Sequence, residues 1–371
     1  MSSLRNVRAA LCAAAIASVL SACAAHPEVV PASVALAADV SVASVWGAAD
    51  NDVWIVGARN NECVIARWNG VTATEVAHPP CGWALAVHGT SASNVWVTTG
   101  GIDAPLRVLR WDGSAWSEAW SEPAPARTLR VIAATGPDDV WFAGGVSRTS
   151  SIGRPTTDRP WLLHWNGRAF EESPELDLRS TPTSSPSTSP SGLVARANGE
   201  LWLNGTNREV WHHAPGAPLT EWQFISPRTS GLSTDTLVDV ADGSVWATSV
   251  TFTEWDSATR TFAPSSAAPQ APAALGRGVA LDRSNAWFST SIGVGPEQCS
   301  TSGSAFSGIG RSCGPSMILP AIARWNGAAW STTTMPADFA SGRVVWREPT
   351  SGALWIVARG RVGRVQRSQL R

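Results

Sequence analysis

Residues 136–145 read GPDDVWFAGG, a turn followed by a short apolar strand, and the chain writes the same pattern again and again. Close versions are AADNDVWIVGA, TSASNVWVTTGG and ADGSVWATS, each with a polar turn and then a Trp. The anchors are Trp54, Trp96, Trp141, Trp202, Trp246, Trp287 and Trp355. Four of their six spacings fall between 41 and 45 residues. The other two, 61 and 68, contain a Pro/Ser stretch at 173–191 and a Cys-bearing insert at 292–320. A period of this length is the signature of a repeat architecture in which each unit buries its apolar faces only against neighbours. Within the anchor strand both faces are apolar, as in Val140, Trp141, Phe142 and Ala143. A sheet wetted on one side would alternate instead.

A second signature follows most anchors: ARWNG (66–70), LRWDGSAW (109–116), LHWNGRAF (163–170), TEWDSATRTF (253–262) and ARWNGAAW (323–330). Asn-Gly and Asp-Gly between apolar runs signal hairpins. Each unit therefore reads as four antiparallel strands, and seven units predict an all-β, seven-bladed propeller over residues 28–371. The last unit has three strands, near 343–346, 353–358 and 361–367. The stretch EVVPASVALA from Glu28 supplies the missing outermost strand and closes the ring, a place where Pro31 is tolerated. Such a strand would start on the face of tight turns, putting an N-terminal anchor opposite the long loops.

Composition agrees. The 371 residues include 21 Trp, 32 Gly and 25 Pro but no Tyr, and 44% are apolar. Aromatics in short strands between Gly and Pro turns favour sheet over helix. With a net charge of −1 and 15% charged residues, there is no broad basic surface for nucleic acid.

The order of a Gly pair, an aromatic followed by Asp, and a second aromatic resembles Kelch-type propeller repeats. TTGG (98–101) before RWDGSAW and the segment TEWDSATRTF carry the likeness, with Trp where Kelch repeats usually hold Tyr. The Gly pair survives only in the second and third units. The resemblance spans about residues 40–367 and implies a binding propeller.

Residues 1–22 read as a signal peptide: Arg5 and Arg8 precede an apolar run, Ala9 to Leu20, that is too short to span a bilayer. Leu20-Ser21-Ala22-Cys23 resembles a bacterial lipobox, which implies cleavage before Cys23 and lipidation of its thiol. Residues 23–27 are then a short linker. Several acyl chains anchor a protein permanently, and Ala24 after the lipidated Cys points to the outer membrane of a two-membrane envelope. With Cys12 in the signal, four cysteines remain, Cys63, Cys81, Cys299 and Cys313, which allow three pairings. In an oxidising compartment the local choice is Cys63 with Cys81 and Cys299 with Cys313. Spacings of 18 and 14 are unlike zinc knuckles, so no metal and no cofactor is expected.

Recurrent polar residues have structural explanations. Asp52, Asn94, Asp139 and Asn285 precede anchor strands, where short side chains bond turn backbone. Arg67, Arg110, His164 and Arg324 precede the second Trp and suit stacking between blades. His212 and His213 are strand neighbours pointing to opposite faces, which is poor geometry for one ion.

Every long connection falls on one face of the ring, where a rigid scaffold places recognition. The binding residues expected there are Arg148, Arg154, Asp158, Arg159, Glu297 and Arg311. The reading is a monomeric, lipid-anchored, non-catalytic scaffold for an envelope or extracellular protein or glycan. The alternative is a carbohydrate-active hydrolase or lyase using Asp158, Glu297 and Arg311. The chain lacks the Tyr on which propeller galactose oxidases and sialidases depend, and it has no G-x-S-x-G or H-E-x-x-H motif.

Overall fold

The computed structural model describes residues 28–370 apart from residue 38, single positions 177, 241, 260 and 272, and the connections 102–103, 124–126, 150–154, 179–189, 206–209, 226–235, 249–251, 265–270 and 303–309. It contains seven four-stranded antiparallel sheets, the blades of a β-propeller. Blade 1 is Ser41–Ala49, Asp52–Arg59, Glu62–Trp68 and Ala73–Glu75. The innermost strands of blades 2 to 6 are Trp83–Ser91, Val131–Gly136, Pro190–Ala195, Thr236–Asp239 and Leu275–Asp282. Blade 7 has Arg343–Arg347, Leu354–Ala358 and Arg361–Val365, and its outermost strand is Ala32–Ser33 from the start of the chain. Ala32 pairs with Arg364 and Ser33 with Gly363. The predicted closure by the N-terminal strand is therefore present. The chain joins the ring at the seam between blades 6 and 7, where Val29 N–H donates to Thr334 O at 2.8 Å.

Apolar side chains sort into seven buried clusters, each bridging two successive blades and each holding one anchor Trp. Trp54 of blade 1 packs on Val95, Val97 and Leu109 of blade 2. Trp355 of blade 7 packs on Val53 and Ile55 of blade 1, completing the circle. None of the seven is more than 7% exposed. A Trp removes on the order of 150–250 Å² from water, about 4–6 kcal/mol of gross burial at about 25 cal/mol/Å². The repetition thus has a mechanical cause: every blade needs one large wedge for the next.

A polar clamp accompanies the wedge. The Arg67 guanidinium lies 5.1 Å from the Trp54 ring and 5.7 Å from Trp111 of the next blade. Arg110 sits likewise between Trp96 and Trp165. His164 stacks on Trp141 with centroids 3.8 Å apart. Arg324 departs from the pattern: it donates to Leu370 O at 3.0 Å, and Arg347 of blade 7 covers Trp287 instead. Residues starting the anchor strands bond side chains rather than turn backbone, a correction to the sequence expectation. Asp52 accepts from Arg67 at 2.6 Å, Asn94 from Trp96 Nε1 at 2.9 Å, and Asp139 from Trp141 Nε1 at 2.9 Å. Asn285 donates to Asp282 at 3.0 Å. Strand pairing sets Trp54, Trp96 and Trp141 opposite Arg67, Arg110 and His164, which brings Arg67 to Asp52 and His164 to Asp139, whereas Asn94 and Asp139 reach the indole two residues along their own strand.

The Asn-Gly signals are four-residue turns, closing pairs such as Trp68 with Ala73. Asn69 Oδ1 accepts the N–H groups of Val71 and Thr72 at 2.9 Å each, and Gly70 takes φ 99°. In the equivalent turn, N–H groups of Ala115 and Ser114 draw the Asp112 carboxyl down to about 2. The insert at 292–320 is less a loop than an arm, since Asn285–Ser302 and Gly310–Trp325 continue as one long hairpin. Cys299 and Cys313 are facing partners in its ladder, and their side chains lie outside the described residues.

Candidate functional site

The seven innermost strands surround a central channel of about 580 Å³. Their starting ends lie on the face that carries the long connections, because the chain enters each blade there from the preceding outermost strand. Three of these starts bear an arginine. Arg130 precedes Val131, Arg277 is third in Leu275–Asp282, and Arg343 opens Arg343–Arg347. All three line the channel, beside Ala43 of blade 1, Leu85 of blade 2 and Ser191 of blade 4. Farther along the strands the wall turns apolar and aromatic, with Val45, Val87, Ile132, Val279, Trp46, His88 and Trp346.

Among the described lining residues there is no carboxylate. Several arginines elsewhere on the ring are paired with carboxylates: Arg59 with Asp39 and Glu75, Arg127 with Glu122 and Glu172, Arg364 with Glu348. At the mouth Arg277 and Arg343 bond backbone. Arg277 reaches from blade 6 to donate to Ser191 O of blade 4, and Arg343 donates to Ala43 O of blade 1 at 3.4 Å. Burial, with the Arg343 charge adding to it, pushes the Arg277 guanidinium down to about 10. Burial also lowers Arg343. Residue 235, before the fifth innermost strand, lies outside the described residues. Deeper in, burial pushes His88 down to about 4, so its imidazole is neutral at physiological pH. The ring stands 5.9 Å from Trp46, and Nδ1 is buried without a partner. The mouth is thus a cationic rim, partly desolvated at Arg277 and Arg343 and open at Arg130, above an apolar well, suited to an anionic group carried on an apolar or extended body.

Of the residues expected to bind, Arg159 is half-buried in Pro155–Trp165, opposite Val146. Arg148, Asp158, Glu297 and Arg311 lie in strands whose backbone alone is described, and Arg154 lies outside the described residues, so the structure neither joins nor separates them. The rim arginines and His88 were missed. Their trace in the sequence is an Arg at the head of an innermost strand, in LRVIAATG, LGRGVALD and GRVVWREP.

On the same face, Cys63 and Cys81 form a disulfide with Cα atoms 5.5 Å apart, as the local pairing predicts. His212 Nε2–H donates to the Glu200 carboxylate at 2.8 Å and the ring stacks on Trp202, while His213 bonds backbone at Gly199 and Ala217. The pair is structural.

No protein-family model matches this chain, and no curated protein matches it by sequence. Solved structures match in shape. YCF48 from Cyanidioschyzon merolae aligns with a TM-score of 0.58 at 12% identity, covering 91% of this chain and 98% of that one. YCF48 bound to a D1 peptide gives 0.56 at 12%, covering 93% and 97%. A streptogramin B lyase gives 0.55 at 14%, covering 89% and 95%. At such identities the likeness is one of fold, and the fold it bears out is the seven-bladed β-propeller.

Proposed function

We propose that this chain is a lipid-anchored, non-catalytic propeller that binds a protein partner at the channel mouth on its loop-rich face, through an acidic or carboxylate-bearing segment of that partner. The observation that carries the reading is the rim of Arg130, Arg277 and Arg343, set in a low-dielectric opening with no described carboxylate beside it. Arg277 and Arg343 are partly desolvated without a described carboxylate, which costs stability, and a ligand that supplies the missing charge accounts for them best; Arg130 adds an exposed positive charge at the same opening. The fold supports a binding scaffold, and YCF48 with its D1 peptide is a propeller of this shape that holds a protein segment. The lipobox-like Leu20 to Cys23 supports the anchor and an outer-membrane address; the Kelch-like order of Gly pair and aromatics supports only the type of repeat. The rival hydrolase or lyase would draw on Asp158 and Glu297, whose side chains lie outside the described residues.

The test is fluorescence anisotropy with labelled acidic, neutral and basic peptides of equal length, plus an acidic polysaccharide as competitor. Acidic peptides bind, weaken as salt rises, and lose affinity about tenfold or more in R277M/R343M, in line with losing one or two charge-assisted bonds. Equal binding of the basic peptide, or an unchanged double variant, refutes the reading. Displacement by the polysaccharide alone moves the partner to a glycan.

A further inference from the structure

His78 takes no part in the blade packing or the channel, yet it faces the disulfide. Its Nδ1 is 3.6 Å from Cys63 Sγ and 3.6 Å from Cys81 Sγ. Among the described residues no other three His, Cys, Asp or Glu side chains bring ligand atoms within 4.8 Å of one another. In a tetrahedral zinc centre, with Zn–S of about 2.3 Å and Zn–N of about 2.0–2.1 Å, sulfur and nitrogen ligands stand about 3.6 Å apart and two sulfurs about 3.8 Å. Both sulfur–nitrogen edges of that figure are therefore already in place. Only the sulfur–sulfur edge has to open.

The surroundings hold this arrangement. His78-Pro79-Pro80-Cys81 is an H-x-x-C segment, a local ligand spacing that the cysteines alone do not show, and its two prolines fix φ. Cys63 N–H donates to Cys81 O at 3.2 Å, tying the segment to blade 1. Cys63 is 6% exposed, and Cys81 and His78 are half-buried, so thiolates would be sheltered while the histidine side stays reachable. Pro79 O lies 2.9 Å from His78 Nδ1 and accepts its proton while the disulfide is intact.

We propose that reduction of the Cys63–Cys81 disulfide converts Cys63, Cys81 and His78 into a zinc site with an open fourth position. A dithiol reductant gives two electrons and two protons to the sulfur–sulfur bond and becomes a disulfide itself. Zinc then displaces the two thiol protons. The neutral imidazole binds through Nδ1, its proton shifting to Nε2 and its bond to Pro79 O being given up. Reoxidation by a disulfide of higher potential reverses each step and expels the ion. The site is thus a redox-gated metal trap on the segment that leads into the innermost strand of blade 2, and it stands apart from the partner-binding rim.

The experiment uses the full mature chain as C299S/C313S, so that the arm contributes no thiols. Zinc content after equilibrium dialysis is measured for the oxidised and the dithiol-reduced protein, and cobalt replaces zinc to report thiolate ligation by its charge-transfer absorption. Reduced protein retains one zinc per chain, and oxidised protein retains none. H78A leaves the oxidised melting curve within error of the parent but weakens zinc binding by at least about tenfold. H78N serves the same purpose if H78A is unstable. Equal zinc retention before and after reduction, or His78 variants that bind as tightly as the parent, overturns the proposal.

Discussion

Replacing Arg277 by Met should make the protein more stable while it destroys the rim. Holding the guanidinium in the channel lowers it from the usual arginine range to about 10, chiefly through burial, with Arg343 adding like-charge repulsion. That displacement corresponds to about 3 kcal/mol spent on keeping the charge in the folded state. The sign is fixed by linkage. A base whose folded value is depressed stays charged in both states at neutral pH, so the full cost is present below about 10 and fades only as pH rises through that value. The bond from Arg277 to Ser191 O returns about 1.5 kcal/mol, as charge-assisted bonds do. The balance is a gain of about 1–2 kcal/mol for R277M, whose side chain keeps an apolar stem of similar length along the wall. Denaturant unfolding followed by Trp fluorescence at pH 7 measures it, and the same samples go into the acidic-peptide titration. A loss of more than about 1 kcal/mol refutes the reasoning. It would make Arg277 a strut between blades 4 and 6 rather than an unpaired binding charge.

Other expectations follow from the packing and the charges. W246A removes a wedge that is 1% exposed beside Phe288 and Trp325, and unfolding should lose about 3–5 kcal/mol; a loss below about 1 would mean the repeat is not the packing unit. Glu348 is fully buried and accepts two bonds from Arg364 at 2.5 Å and one from Trp355 Nε1 at 2.9 Å. E348Q strands the Arg364 charge and should cost about 3–5 kcal/mol by the same denaturant assay. His88 is neutral in the fold down to about 4, so the unfolded chain takes up its proton first as pH falls from about 6.5. Stability should drop by at most about 1.4 kcal/mol per pH unit over that window and level off below it, and H88L should flatten the profile. If Cys23 is lipidated as proposed, intact-protein spectrometry should detect a lipid mass on the parent, and C23A should lack it and appear in the soluble fraction.

Blade number, the identity of each wedge and the closure by Ala32–Ser33 could all be read from the sequence, because each is a local pattern repeated at a fixed period. A Trp flanked by apolar residues on both faces can be satisfied only by neighbours on both sides, whatever the rest of the chain does. The Cys63–Cys81 pair was legible for a similar reason, being close in sequence. Asn94 and Asp139 were misread because each accepts from the indole of the Trp two residues on, and Asp139 also meets His164 across the blade, contacts set by side-chain direction and register and not by turn preference. The rim was beyond reach for a stronger reason. Arg130, Arg277 and Arg343 are 147 and 66 residues apart in the chain, and each taken alone is an ordinary charged residue at a strand end. Only closing the ring brings three such ends around one opening, where Arg277 and Arg343 are partly withdrawn from water and no described lining residue is a carboxylate. Periodicity determined the scaffold, and the geometry of closure decided where its charge is concentrated.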